Sequence, residues 1–199
     1  MIRNTPLAVP GQRIGLLGGS FDPPHQGHVH ISEWALRAAE LDWLWWLVSP
    51  GNPLKKNGPA DLDKRLQACR AILTHPRAVV SDVERRLPTA FTADTMIHLA
   101  ERHRGVRFVW VMGADNLASF HQWQGWRWII ETWPLLVLAR PGQQLAAGLS
   151  PAARAYEHLR RPASAATMLG RDGRAGWCLL TGPMSDRSST AIRGQGGWA

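Results

Sequence analysis

Apolar residues in this chain come in short blocks that switch between two spacings. Ile14 to Leu17 and Trp43 to Val48 are continuous apolar runs of strand length, and the second, Trp-Leu-Trp-Trp-Leu-Val, fits a strand buried on both faces. Between them Ile31, Trp34, Ala35, Ala38 and Leu41 recur at helical spacing, which predicts an amphipathic helix from about Gly27 to about Glu40. The same alternation predicts a helix over Asp61 to Leu73, a strand over Ala78 to Val83, and a helix from a Thr92 cap to about His103. A strand over Val106 to Met112 leads into a helical region carrying Leu117, Phe120, Trp123, Trp126, Trp128 and Ile129. Pro134 to Ala139 reads as a fifth strand, and Trp177 to Leu180 as a short last one.

Strands that alternate with helices predict one α/β domain: a doubly wound parallel sheet of about five strands, with helices on both faces and right-handed crossovers. Ligands of such sheets sit outside the carboxyl ends of the strands, where the strand order reverses. Residues 1–12 read as a flexible lead-in. Residues 143–176 turn to Ala, Gly, Arg and Pro with little periodicity beyond a short helix around Ala152 to Leu159, and are expected to be a mobile insertion. A hydroxyl-rich stretch, Ser185 to Arg193, reads as the start of a final helix.

Composition narrows the function classes. A length of 199 residues suits one full-cored domain. No apolar run approaches membrane-spanning length, and the first residues lack the apolar core of a secretory signal. The two cysteines, Cys69 and Cys178, have no metal-ligand spacing, which predicts a reduced, cytoplasmic protein. A formal charge of +8 with eleven tryptophans raises a nucleic-acid-binding module as an alternative. Most of those tryptophans lie in apolar periodic runs, however, which assigns them to the core, and the positive charge is scattered. Polyanionic small substrates account for it equally well, and no nucleic-acid partner is expected.

The candidate chemistry gathers at the loops that follow strands. Arg13 to His28 reads Arg-Ile-Gly-Leu-Leu-Gly-Gly-Ser-Phe-Asp-Pro-Pro-His-Gln-Gly-His: a strand, a turn rich in Gly and Pro, then a helix start. That order presents backbone N–H groups and a helix N-terminus to an anion. Gly18 and Gly19 permit close approach, and Ser20 adds a hydroxyl. His25 and His28 are three apart, so a helix beginning at or before His25 puts both imidazoles on one face of its first turn. Lys55 and Lys56 follow the second strand, Asp115 the fourth and Arg140 the fifth. A carboxylate such as Asp115 suits a ribose diol, while Ser188, Ser189, Thr190 and Arg193 suit phosphate oxygens. With no Ser-His-Asp set and no metal-ligand cluster, the chemistry indicated is phosphoryl transfer by positioning and charge stabilisation.

Gly-Gly-Ser-Phe-Asp-Pro-Pro-His-Gln-Gly-His resembles the signature of nucleotidyltransferases whose His-x-Gly-His motif binds ATP. Phe91-Thr92-Ala93-Asp94-Thr95, Gly113-Ala114-Asp115 followed by Phe120, Trp123 and Trp126, and the closing Ser188-Ser189-Thr190-Ala191-Ile192-Arg193 are similar to stretches of nicotinate-nucleotide adenylyltransferases. The resemblance implies a Rossmann-like fold and transfer of the adenylyl group of ATP, carried with Mg2+, to nicotinate mononucleotide. It implies His28 and His25 as catalytic, and Gly18, Gly19, Ser20, Phe21, Lys56, Asp115, Ser188, Ser189, Thr190 and Arg193 as ATP-binding. It further implies Thr92, Trp123, Gln124, Arg140 and Asn52 around nicotinate mononucleotide. Phe91 stands where the family usually has Tyr. Nicotinamide mononucleotide and phosphopantetheine are the alternative acceptors, the Trp123 region arguing against the second, and a homo-oligomer is left open.

Overall fold

Side chains of the central strands alternate between two apolar layers, and that alternation sets which helices lie on which face. The computed structural model describes residues 6–51, 58–87, 89, 91–139, 143–182 and 189. In chain order the elements are β1 (Arg13–Gly19), α1 (Gln26–Ala38), β2 (Trp43–Val48), α2 (Leu62–Ile72), β3 (Ala78–Ser81), α3 (Thr92–Arg102), β4 (Arg107–Gly113), α4 (Ala114–Ser119), α5 (Trp126–Thr132), β5 (Pro134–Ala139), α6 (Gln144–Gly148), α7 (Pro151–Ala155), β6 (Arg160–Arg161) and β7 (Gly176–Thr181). Ile14 and Leu16 of β1, Trp45 of β2 and Phe108, Trp110 and Met112 of β4 enter one layer, with α3, α4 and α5. Leu17, Trp46, Val109 and Val111 enter the other, with α1 and α2.

The sheet order is β3-β2-β1-β4-β5-β7-β6, and every neighbouring pair is parallel. The order reverses between β1 and β4, so their carboxyl ends, with the β2 end beside them, are where a ligand crevice opens. Among the described residues the sheet has seven strands rather than about five. The strand the pattern could not show is β6, two arginines that pair with β7 and carry no apolar alternation.

Other differences have local causes. β1 runs on through Gly18 and Gly19, because both residues pair with Leu47 and Val48 of β2. β3 stops at Ser81, and Val83 turns into the core from a 3-10 turn over Val83–Arg86. Residues 143–176 hold α6, α7, β6 and two 3-10 turns. Ala147, Ala152, Ala153, Tyr156 and Leu169 from this stretch are buried, and the Trp177 indole donates to Tyr156 O at 2.8 Å. Trp45, Trp46, Trp110 and Trp177 are each at most 1 % exposed, so these rings are core and offer no stacking platform to a nucleic-acid strand. Among the described residues no helix is long and apolar enough to cross a membrane.

Candidate active site

The loop leaving β1 is bent hard and held from behind. Phe21 has a φ of 46°, a left-handed conformation that costs a bulky residue on the order of 1–3 kcal/mol. Its ring is 2 % exposed, stacked 4.7 Å from Trp46 and 4.8 Å from His28 between centroids. Phe21 is therefore packed into the core, where its ring offers a nucleotide no stacking face. Gly18 permits a second close approach: a Cβ there would lie 2.5 Å from Cη2 of Trp110.

The two histidines hold each other. Helix α1 starts at Gln26, with His25 as its N-cap, so His25 stands just outside the first turn on which both rings were expected. His25 Nδ1 accepts the Gly27 N–H at 3.1 Å, and His28 Nδ1 accepts the His25 N–H at 3.2 Å. A nitrogen that accepts an N–H carries no proton, so each neutral imidazole has its proton on Nε2 and presents that atom as a donor. The rings lie 3.9 Å apart. Behind them, Trp46 Nε1–H donates to Ser32 Oγ, which donates to His28 O, both at 2.7 Å.

Across the reversal point, Gly113 ends β4 and caps α4, with Asp115 exposed in the first turn. A Cβ on Gly113 would collide with Oδ1 of Asp115, so the glycine is what lets the carboxylate fold back over the strand end. Trp123 is half-buried, edge-on to Phe120 at 5.3 Å and to Trp110 at 6.3 Å. Trp110 thus links Trp123 to Gly18 of the first loop. Thr92 is the first helical residue of α3, not its cap: Phe91 holds the cap position, and Thr89 Oγ1 accepts the Phe91 N–H while donating to Asp94. A Cβ on Gly125 would stand 3.1 Å from that of Ala93, which brings the exposed Gln124 turn against the start of α3 beside Thr92.

Two charged groups near these loops are shaped by burial. The Arg65 guanidinium is 0 % exposed; burial lowers its pKa, opposed first by Asp22. Burial pushes the Glu84 carboxyl up to about 7, against a hydrogen bond from Thr95 that favours the charged form.

A cytidylyltransferase-like family model matches residues 16–195. A relative from Ruegeria pomeroyi, named a probable nicotinate-nucleotide adenylyltransferase, is 55 % identical over 199 residues, covering 100 % of this chain and 93 % of its own. One of the same name from Roseobacter denitrificans is 54 % identical over 198 residues and covers 100 % of both. The chain belongs to the nicotinate-nucleotide adenylyltransferase family. The fold is also that of Plasmodium falciparum nicotinic acid mononucleotide adenylyltransferase complexed with NaAD, at a TM-score of 0.70 and 14 % identity over 92 % of this chain and 83 % of that one.

Of the family's expected site residues, the first loop, His25, His28, Asp115, Thr92, Trp123 and Gln124 lie at the ends of β1 and β4 or on the α3 side of them. Asn52, Lys55, Lys56, Arg140, Ser188, Thr190 and Arg193 lie outside the described residues. Ser189 is described: its Oγ donates to Pro23 O at 2.9 Å, so it braces the first loop. Arg65 and the Trp46–Ser32 support were not among the expected residues. Arg65 did carry a signal, since it shares the apolar stripe of α2 with Leu62, Leu66 and Cys69 at spacings of three and four.

Proposed function

We infer that this chain joins ATP to nicotinate mononucleotide. A phosphate oxygen of the mononucleotide attacks the α-phosphorus of ATP; the new O–P bond forms as the bond to the β-phosphate bridging oxygen breaks. Pyrophosphate leaves, and deamido-NAD, the product of this step in NAD biosynthesis, remains. The observation that carries the reading is 55 % identity along all 199 residues to a relative of that name.

The same reading gives each group a part in the step. Catalysis of this kind rests on alignment and on donors aimed at growing charge. His28 donates its Nε2–H to the α-phosphate as negative charge builds, and His25 donates beside it. Main-chain N–H groups from Gly18 to Phe21 receive the phosphates, joined by Lys56 and by Ser188, Thr190 and Arg193; Asp115 takes the ribose hydroxyls. On the other side Thr92 and the Gln124 turn bind the nicotinate carboxylate, and Trp123 stacks on the pyridine ring, with Asn52 and Arg140 near the mononucleotide. Mg2+ enters with ATP. Such an ion keeps mostly phosphate oxygens and water as its ligands. The buried free thiols of Cys69 and Cys178 suit a reducing compartment such as the cytoplasm.

Pyrophosphate release with ATP and Mg2+ tests the reading when nicotinate mononucleotide, nicotinamide mononucleotide and phosphopantetheine are offered in parallel. Preference for the acid is expected; preference for either of the others overturns the assignment of Thr92 and Trp123.

A further inference from the structure

Arg65 is a wholly buried cation whose guanidinium donates to main-chain carbonyls. Its Nε donates to Ala60 O at 2.7 Å, Nη1 to Ser20 O at 2.6 Å and Ser49 O at 2.8 Å, and Nη2 to Pro50 O at 3.2 Å. These carbonyls come from three places: the loop after β1, the loop after β2, and the residue before the α2 cap. Asp22 closes the same ring of contacts by accepting the Ala60 N–H at 3.3 Å. Guanidinium is the side-chain group with five donors in a fixed plane, and no ammonium reproduces that fork.

Burying such a charge costs several kcal/mol, so the arrangement calls for a reason beyond filling space. Peptide planarity supplies one. In a trans peptide the carbonyl and the following N–H point in opposite directions. Drawing Ser20 O and Pro50 O onto the guanidinium therefore turns the N–H groups of Phe21 and Gly51 away from it. Those two groups belong to the loops at the ends of β1 and β2, which pair side by side up to Gly19 and Val48.

We propose that Arg65 is a positioning residue for adenylyl transfer, fixing the spacing of the two loops and aiming the Phe21 and Gly51 N–H groups at the phosphates of ATP. This rests on the reading that these loops hold ATP.

The test compares wild type with Arg65→Lys, which keeps the charge and loses the fork. A positioning role predicts KM for ATP raised about tenfold or more, because small misplacements of aligned groups are costly, with KM for nicotinate mononucleotide moved by less than about twofold. Added guanidinium should restore ATP affinity to Arg65→Ala. Equal rises in both KM values, or no change in either, overturn the proposal. Should neither variant fold, hydrogen exchange on the wild-type chain decides: ATP is expected to protect the Phe21 and Gly51 amides and nicotinate mononucleotide alone is not, while no response to ATP overturns it. Wild-type pyrophosphate release is measured beforehand. Its absence would overturn the assigned reaction, whereas the exchange response to ATP would still decide Arg65.

Discussion

Gly18→Ala is the smallest change that tests how the first loop is held. A Cβ at this position would stand 2.5 Å from Cη2, 2.9 Å from Cζ2 and 3.6 Å from Cζ3 of Trp110. Carbon atoms pack best at about 3.5–4.0 Å, so the indole must retreat by about 1 Å. It has little room to do so: Trp110 is 1 % exposed and edge-on to Trp123. Overpacking of this kind costs about 1–3 kcal/mol. For a chain of this size each kcal/mol is worth about 2–4 °C, so Tm should fall by about 2–12 °C. The clashing atoms all belong to the outer ring of the indole, which Trp110→Phe removes. Thermal denaturation of both single variants and the double variant gives the coupling, and the double should be more stable than the sum by at least about 1 kcal/mol. Since Trp110 also supports Trp123, KM for nicotinate mononucleotide should rise in Gly18→Ala. A Tm shift within about 1 °C, or strictly additive single effects, would refute the argument.

Three further outcomes are expected. In His28→Asn the side-chain oxygen can accept the His25 N–H in place of Nδ1 while the Nε2 donor is lost, so Tm should hold and kcat should drop by about 10²–10³; normal turnover would remove His28 from the chemistry. Trp123→Ala should raise KM for nicotinate mononucleotide by the loss of about 1–3 kcal/mol of stacking, with KM for ATP little changed, and an unaltered acceptor KM would end that role. Glu84 has its folded pKa raised to about 7 from an ordinary carboxylate value, so the folded chain holds its proton more tightly and stability falls as pH climbs from about 4.5 to 7. Glu84→Gln should remove that slope, gaining at most about 3 kcal/mol relative to wild type above neutral pH; parallel stability curves for the two proteins from pH 5 to 8 would contradict it.

Periodicity located the elements whose burial is uniform. Trp43 to Val48 and Pro134 to Ala139 are strands with the predicted ends, because strands covered on both faces read as unbroken apolar runs. It failed where long-range pairing decides. The Gly18-Gly19 pair looks like a turn and is strand, since β2 supplies its partners; Arg160-Arg161 look like surface and pair with β7. Thr92 looks like a cap because threonines often are, yet Thr89 reaches the same helix start. The histidine motif was legible as a loop joining a strand to a helix start. Its internal hydrogen bonds were not, because which ring nitrogen accepts depends on where α1 begins to the residue.

The hydrogen bond from Ser189 to Pro23 spans 166 positions of the chain. During synthesis the first loop is translated well before the hydroxyl that braces it, so the loop gains this support late. Moving the short glycine and histidine stretch into another protein would carry the loop without its brace. A transplant that works would have to bring the strand order with it.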